Sequence, residues 1–246
     1  QEMLRWKEER QGETALLIEG ARRIGKSTIV EEFAKNEYSS YILVDFSKTA
    51  TEINDLFNDL SDLNYIFLRL QLNYNVSLKE RKSLIIFDEV QNNPKARQAI
   101  KHLVKDHRYD YIETGSLISI RKNVQNIIIP SEETRISMHP LDFEEFRWAM
   151  GDNVTFTLLK TVLEQKQPLG EAIHRKLMRD FRLYMLVGGM PQAVDKYIKT
   201  NNLSAVDTVK RDIIAHYEED LRKIDTSGKA TAMFDAIPSQ LSKNAS

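Results

Sequence analysis

Gly20, Gly25, Lys26 and Ser27 stand in the order G-x-x-x-x-G-K-S, with Ala21, Arg22, Arg23 and Ile24 between the glycines and Thr28 after the serine. This spacing suits the holding of a polyphosphate. Glycines let the backbone turn tightly, so that successive N–H groups point inward at a phosphate. Lys26 brings charge toward the β- and γ-phosphates, and Ser27 offers a hydroxyl to Mg²⁺. A helix starting near Lys26 aims its positive end at the same anion. A second set follows on another stretch, where Leu84-Ile85-Ile86-Phe87 runs into Asp88-Glu89. Asp88 at the end of an apolar strand can hold Mg²⁺ directly or through water. Glu89 can take a proton from an attacking water.

These residues need a scaffold, and the hydrophobic pattern predicts one. Residues 14–19, 41–46, 83–88, 109–114 and 134–138 read as short buried strands. Between them, residues 26–36, 51–60, 62–74 and 93–106 are apolar at helical intervals. In the helix after the phosphate-binding loop, Ile29, Val30 and Phe33 form the predicted inner face, and Thr51 is the predicted cap of the next helix. A short helix is expected at 117–122, and 126–129 is apolar. Crossovers too long for hairpins imply a parallel sheet with helices on both faces. Both acidic and phosphate motifs then meet at the carboxyl edge, where such sheets place ligands. From Asp142 onward the pattern is almost wholly helical, at 142–149, 154–166, 171–187, 191–200, 203–224 and 229–236. The expected domains are residues 1–140 and a helical part from 141 to 246.

The fourth strand ends in Glu113-Thr114-Gly115-Ser116. The two motifs resemble those of P-loop ATPases, and in the ones with an additional strand between the motifs a polar residue here senses the γ-phosphate and the attacking water. Thr114 and Ser116 are both candidates, and the alternative is an ordinary strand-ending turn. Arg22 and Arg23 are candidates to contact phosphate or a neighbouring subunit, against the alternative of solvated loop charges.

Composition excludes several classes. The 246 residues contain no cysteine, which rules out disulfides, thiolate metal sites and thiol catalysis. The 35 basic and 36 acidic residues give a net charge of −1, so no global pull toward nucleic acid or a membrane follows. No apolar run approaches the ~18 residues of a spanning helix, and a cytoplasmic protein is the expectation. The helix at 93–106 and the residues just after it carry Lys95, Arg97, Lys101, Lys105 and Arg108, expected to be a solvated face more than a nucleic-acid track. Tyr184, Met185 and Leu186 read as core.

GARRIGKST, IIFDEVQ, the TGS at 114–116, HPLDFEEF at 139–146 and GGMP at 188–191 together resemble the AAA-like ATPases of bacteria and archaea that carry a domain of unknown function after the ATPase core. The resemblance implies an additional-strand, catalytic-glutamate P-loop fold with strand order near 5-1-4-3-2. It also implies ATP binding, and ATP over GTP rests on it, since no guanine-reading N-K-x-D stands in this chain. It makes Arg135 a candidate sensor or intramolecular finger, the alternative being an ion pair with Asp142 or Glu144. Members usually continue further, so residues 237–246 are expected to enter another module, such as a winged helix.

The resulting expectation is a Mg²⁺-dependent ATPase, with Ser27 and Asp88 on the metal and residues 20–28 on the nucleotide. Lys26, Glu89, Thr114, Ser116 and Arg135 form the expected catalytic set. Its output would be a conformational change in the helical part. Two alternatives are a nucleotide-gated protein-interaction switch with negligible hydrolysis and a DNA-associated protein, the latter unsupported by net charge. A protein partner and an oligomer are both compatible with this reading.

Overall fold

The computed structural model describes residues 1–116 and 132–240. The expected short helix at 117–122, the apolar stretch at 126–129 and the last six residues lie outside the described residues.

Five short strands carry the first unit, which runs from Gln1 to His139. They are β1 (Ala15–Gly20), β2 (Ser40–Asp45), β3 (Ser83–Asp88), β4 (Asp110–Ser116) and β5 (Glu133–Met138). All four pairings are parallel, in the order β2-β3-β4-β1-β5, which read from the other edge is 5-1-4-3-2. The order explains the strand compositions. The inner strands β1, β3 and β4 are covered on both faces and buried almost throughout; β1 and β3 are mainly apolar, whereas β4 also buries Asp110, Glu113 and Thr114. The edge strands β2 and β5 are only partly buried and carry Ser40, Glu133 and Arg135.

Helices fill both faces. Helices α1 (Glu2–Arg10) and α2 (Lys26–Glu37) bring Trp6, Val30, Phe33 and Ala34 against Leu16, Ile18, Leu84, Ile86 and Ile112. Ile29 does not join them; it is 43% exposed, and the inner face of α2 runs Lys26, Val30, Phe33, Ala34. On the other face lie α3 (Thr51–Asp55), α4 (Leu63–Tyr74) and α5 (Pro94–Asp106). Phe46, Phe57 and Phe87 stack mutually there, with centroids 5.2–5.9 Å apart. The predicted 51–60 helix is shorter than expected. It begins after Ala50 with no side-chain cap, and Leu56–Asn58 tighten into a 3-10 turn. Helix α4 is capped by Asp62 and α5 by Asn93, with Pro94 in its first turn.

The second unit starts at Pro140 and is helical. It contains α6 (Phe143–Ala149), α7 (Thr155–Glu164), α8 (Glu171–Val187), α9 (Pro191–Thr200), α10 (Leu203–Ile224) and α11 (Lys229–Gln240). The two motifs of this half explain each other. Asp142 and Glu145 form a reciprocal capping box on α6. The Leu141 N–H donates to the Gly189 carbonyl at 2.8 Å, and the Tyr184 hydroxyl donates to the Leu141 carbonyl at 2.9 Å. A Cβ on Gly189 would stand 2.1 Å from that Leu141 oxygen, so only glycine permits the approach. Phe143, Phe146 and Tyr184 pack beside this junction. Tyr184 therefore belongs to the core as expected, whereas Met185 and Leu186 are 60% and 56% exposed. Among the described residues no helix is long and apolar enough to cross a membrane.

One group of charges is buried inside the first unit. Arg97 of α5 donates to Glu133 of β5 at 3.1 Å, with both side chains almost wholly inaccessible. Glu113 of β4 is fully inaccessible as well. Burial, then the Glu133 charge, push the Glu113 carboxyl well above its ordinary value of 4.5. The native state therefore keeps a proton that the unfolded chain has lost above that pH. Stability must fall as pH rises from about 4.5 toward the raised value, by up to ~1.4 kcal/mol per pH unit for one such group. Glu113→Gln keeps the shape and removes the titration. Urea unfolding of both proteins between pH 4.5 and 8 should show the variant gaining stability over wild type as pH rises. A difference that does not change with pH would contradict this account.

Candidate functional site

The parallel sheet places the carboxyl ends of all its strands at one edge. Gly20 and Ser116 stand level there, and Asp88 closes β3. Between β1 and α2 the loop of residues 20–25 turns with Arg23 at φ 66° and Gly25 at φ 89°. Ile24, fully buried, anchors its middle. Gly20 is needed for contact rather than for its angle: a Cβ there would lie 2.3 Å from the Met138 carbonyl oxygen and 2.6 Å from Ile24 Cδ1.

Helix α2 has Gly25 at its N-cap, no side-chain cap and no acid in its first turn. Its leading amides thus keep their positive field for an outside anion. The contrast with α6 is instructive, because that helix spends its N-terminus on Asp142, Glu144 and Glu145. Lys26 folds over the loop and donates to the carbonyls of Gly20 at 3.2 Å and Ala21 at 2.8 Å. Burial lowers its pKa, opposed by the charges of Glu89 and Asp88, while Arg22 adds to the lowering.

Asp88 gathers the rest. Its Oδ1 accepts from the Ser27 hydroxyl at 2.7 Å and also from the Thr114 hydroxyl. Thr114 is fully buried, and its oxygen accepts the Glu89 N–H at 3.3 Å. Glu89 has a left-handed backbone, φ 52°. Its carboxylate accepts from the side-chain amide of Gln91, a contact that the sequence reading passed over. The only signal for it was the Q ending IIFDEVQ.

The structure thus brings Lys26, Ser27, Asp88, Glu89 and Thr114 together. Thr28 sits exposed in the first turn of α2, and Arg22 is exposed on the loop. Thr114 is the residue that reaches Asp88; Ser116 stands at the strand end opposite Gly20. Arg135 lies within β5, and its ion pair is with neither Asp142 nor Glu144. It pairs with Glu133 at 2.7 Å, on the sheet face it shares with Glu113 and opposite to Thr114. The basic helix also needs correction. Arg97 is buried, and Arg108 lies beyond the end of α5, bound to Asp106 and Asn64. That leaves Lys95, Lys101 and Lys105 as its exposed cations.

The donor set fits Mg²⁺ carried on phosphates. Among the described residues no cluster of three or more His, Asp or Glu could cage a metal. One hydroxyl and one carboxylate converging at 2.7 Å are what an ion that keeps waters and phosphate oxygens requires.

A glycine-rich loop between strand and helix, with an acidic strand end one strand removed, defines a P-loop NTPase of the additional-strand class. Here β4 is the strand inserted between β1 and β3. The chain belongs to the AAA domain family, whose pattern matches residues 12–147, more than half of its length. Residues 178–246 match a domain of unknown function (DUF8612). No curated protein matches. Among solved structures, the chain is similar to PCH-2 of C. elegans at 10% identity and a TM-score of 0.43, covering 80% of this chain and 61% of that one. It is similar to the ORC1 protein of Aeropyrum pernix, solved in complex with DNA, at 13% identity and a TM-score of 0.44, covering 90% and 67%. A third likeness is the genome packaging NTPase B204 of Sulfolobus turreted icosahedral virus 2, in complex with ATP-gammaS. There the identity is 15% and the TM-score 0.28, over 57% of this chain and 82% of that one. The assignment rests on the family match and the sheet order, not on these likenesses.

Gly20→Ala tests the loop's packing. The Met138 carbonyl belongs to the backbone and cannot swing aside, so overpacking should cost about 1–3 kcal/mol. Urea denaturation should show a lower midpoint with an unchanged m-value, and an unshifted midpoint would refute the contact.

Proposed function

We propose that this chain binds ATP with Mg²⁺ and hydrolyses it, and that the change of nucleotide state is passed to the helical unit. The observation that supports this best is the convergence on Asp88: one carboxylate oxygen receives the hydroxyls of Ser27 and Thr114. The same carboxylate and Glu89 both act on the Lys26 ammonium.

The loop amides and Lys26 would hold the phosphates. Lys26 would exchange its bonds to the Gly20 and Ala21 carbonyls for charged phosphate oxygens, adding to the attraction of Asp88 and Glu89 for a buried ammonium. Ser27 and Asp88 would hold Mg²⁺, whose chemistry is to neutralise charge on the β- and γ-phosphate oxygens. Glu89 would accept a proton from water. The water oxygen bonds to the γ-phosphorus, the bond to the bridging oxygen breaks, and its electron pair leaves on ADP. Thr114, tied to both Asp88 and the Glu89 amide, would sense which nucleotide is present. Arg135, committed to Glu133, would act on the sheet and not on the transition state. The partner that receives the output would be a protein, since α5 offers only three exposed lysines and the whole chain is near neutral.

Phosphate release and nucleotide affinity separate the parts of this proposal. Wild type should release phosphate from ATP with Mg²⁺. Glu89→Gln should lose about 100-fold or more of that rate and still bind ATP, as expected when a general base is removed. Lys26→Ala should lose ATP binding itself. A wild type that binds ATP yet never releases phosphate, alone or with duplex DNA, would favour a switch without hydrolysis. Unchanged binding by Lys26→Ala would refute the phosphate site.

A further inference from the structure

We propose that Gln91 is a positioning residue for Glu89, fixing one oxygen of its carboxylate and leaving the other to take the proton from water. The inference rests on the hydrolytic reading above and adds a residue to it.

Glu89 follows the last residue of β3 in a left-handed conformation, φ 52°, which costs a non-glycine residue of order 1 kcal/mol or more. The surroundings hold it there. Its N–H donates to Thr114 Oγ1 at 3.3 Å, and its carbonyl accepts from the Asn92 N–H at 3.0 Å. Val90 is fully buried directly after it. The 3-10 turn Val90–Asn92 then reverses the chain, and the Asn93 N–H closes on the Val90 carbonyl at 3.0 Å while its side chain caps α5. This reversal returns the Gln91 side chain to the Glu89 carboxylate, where Nε2 donates to Oε2. Gln91 is 8% exposed and Glu89 is half-buried, so the contact is partly shielded from water.

The chemistry suits an amide. A glutamate has three side-chain rotors, and an unheld carboxylate would spread over several positions. A base misplaced by about 1 Å can lose ~100-fold in rate. An amide N–H restricts the carboxylate without neutralising it, as a lysine would, or competing for its proton, as an acid would. Backbone strain at Glu89 and the buried amide at Gln91 thus have one common result: a carboxylate fixed at both its main chain and its side chain.

Steady-state phosphate release with kcat and KM, ATP affinity and the pH profile of kcat test this in the full chain. Gln91→Met keeps the volume of the buried turn and removes the amide. It should lower kcat about tenfold, with KM, ATP affinity and unfolding midpoint near wild type. Gln91→Glu places a like charge against the base. It should move the acid limb of the kcat profile upward by about one pH unit, which a purely structural role would not do. Wild-type kcat and profile in both variants would overturn the proposal and leave hydrolysis standing, as would a parallel loss of ATP affinity in Gln91→Met. No phosphate release from wild type would overturn the hydrolytic reading and this role with it.

Discussion

The site depends on a single oxygen, Asp88 Oδ1. Two hydroxyls converge on it, one from the start of α2 and one from β4. Asp88 itself ends β3, so this atom links three segments distant in sequence. A carboxylate in a buried place needs such donors, because an unpaired buried charge costs several kcal/mol. Ser27 and Thr114 supply them. The same bonds tie the start of α2 and the end of β4 to the end of β3. On the proposed function, nucleotide binding would be an exchange of partners, with Ser27 turning to the metal and Lys26 to phosphate.

The sheet order makes that convergence possible. Because β4 lies between β1 and β3, a polar residue on β4 sits within reach of both motifs. Alternation along β4 then sends successive residues to opposite faces. Thr114 goes to Asp88, and Glu113 goes to the other face beside Glu133 and Arg97. One strand thus carries a hydroxyl for the nucleotide site and a buried acid for the core, one residue apart. Replacing a buried ionic group by apolar residues is often neutral or stabilising. Its retention here is understandable if it fixes the register of β5, an edge strand that is otherwise only half buried.

What could be read from sequence follows from how each feature is encoded. The strand–loop–helix at 15–37 and the acidic end of β3 are local, so spacing and periodicity display them. Strand order came through resemblance, since parallel pairings leave no local trace. Long-range pairings between charges escaped altogether. Arg97 reads as one of five cations around a surface helix, and only the fold shows that its partner is Glu133, 36 residues away. Arg135 differs: its partner Glu133 is two residues away on β5, on the same face of the strand. The truncation of the 51–60 helix reflects tertiary packing: Leu56 and Phe57 are drawn into the aromatic cluster, and the turn tightens to place them. Ile29 shows the converse limit, an apolar residue at a plausible helical position that faces water.

Gln91 lies between these cases. It is adjacent to the catalytic motif, yet its meaning depends on a backbone angle that no propensity scale predicts for glutamate. A left-handed Glu89 is uncommon, and such residues persist only where their surroundings over-determine them. Here the surroundings are Thr114 on one side and the Val90–Asn92 turn on the other. The hydroxyl that completes Asp88 is therefore also one of the groups that hold the bend. The Glu89 amide is thus tied directly to β4. On the proposed function, Thr114 Oγ1 would link sensing to the placement of the base through one oxygen atom, since it meets both Asp88 and the Glu89 amide.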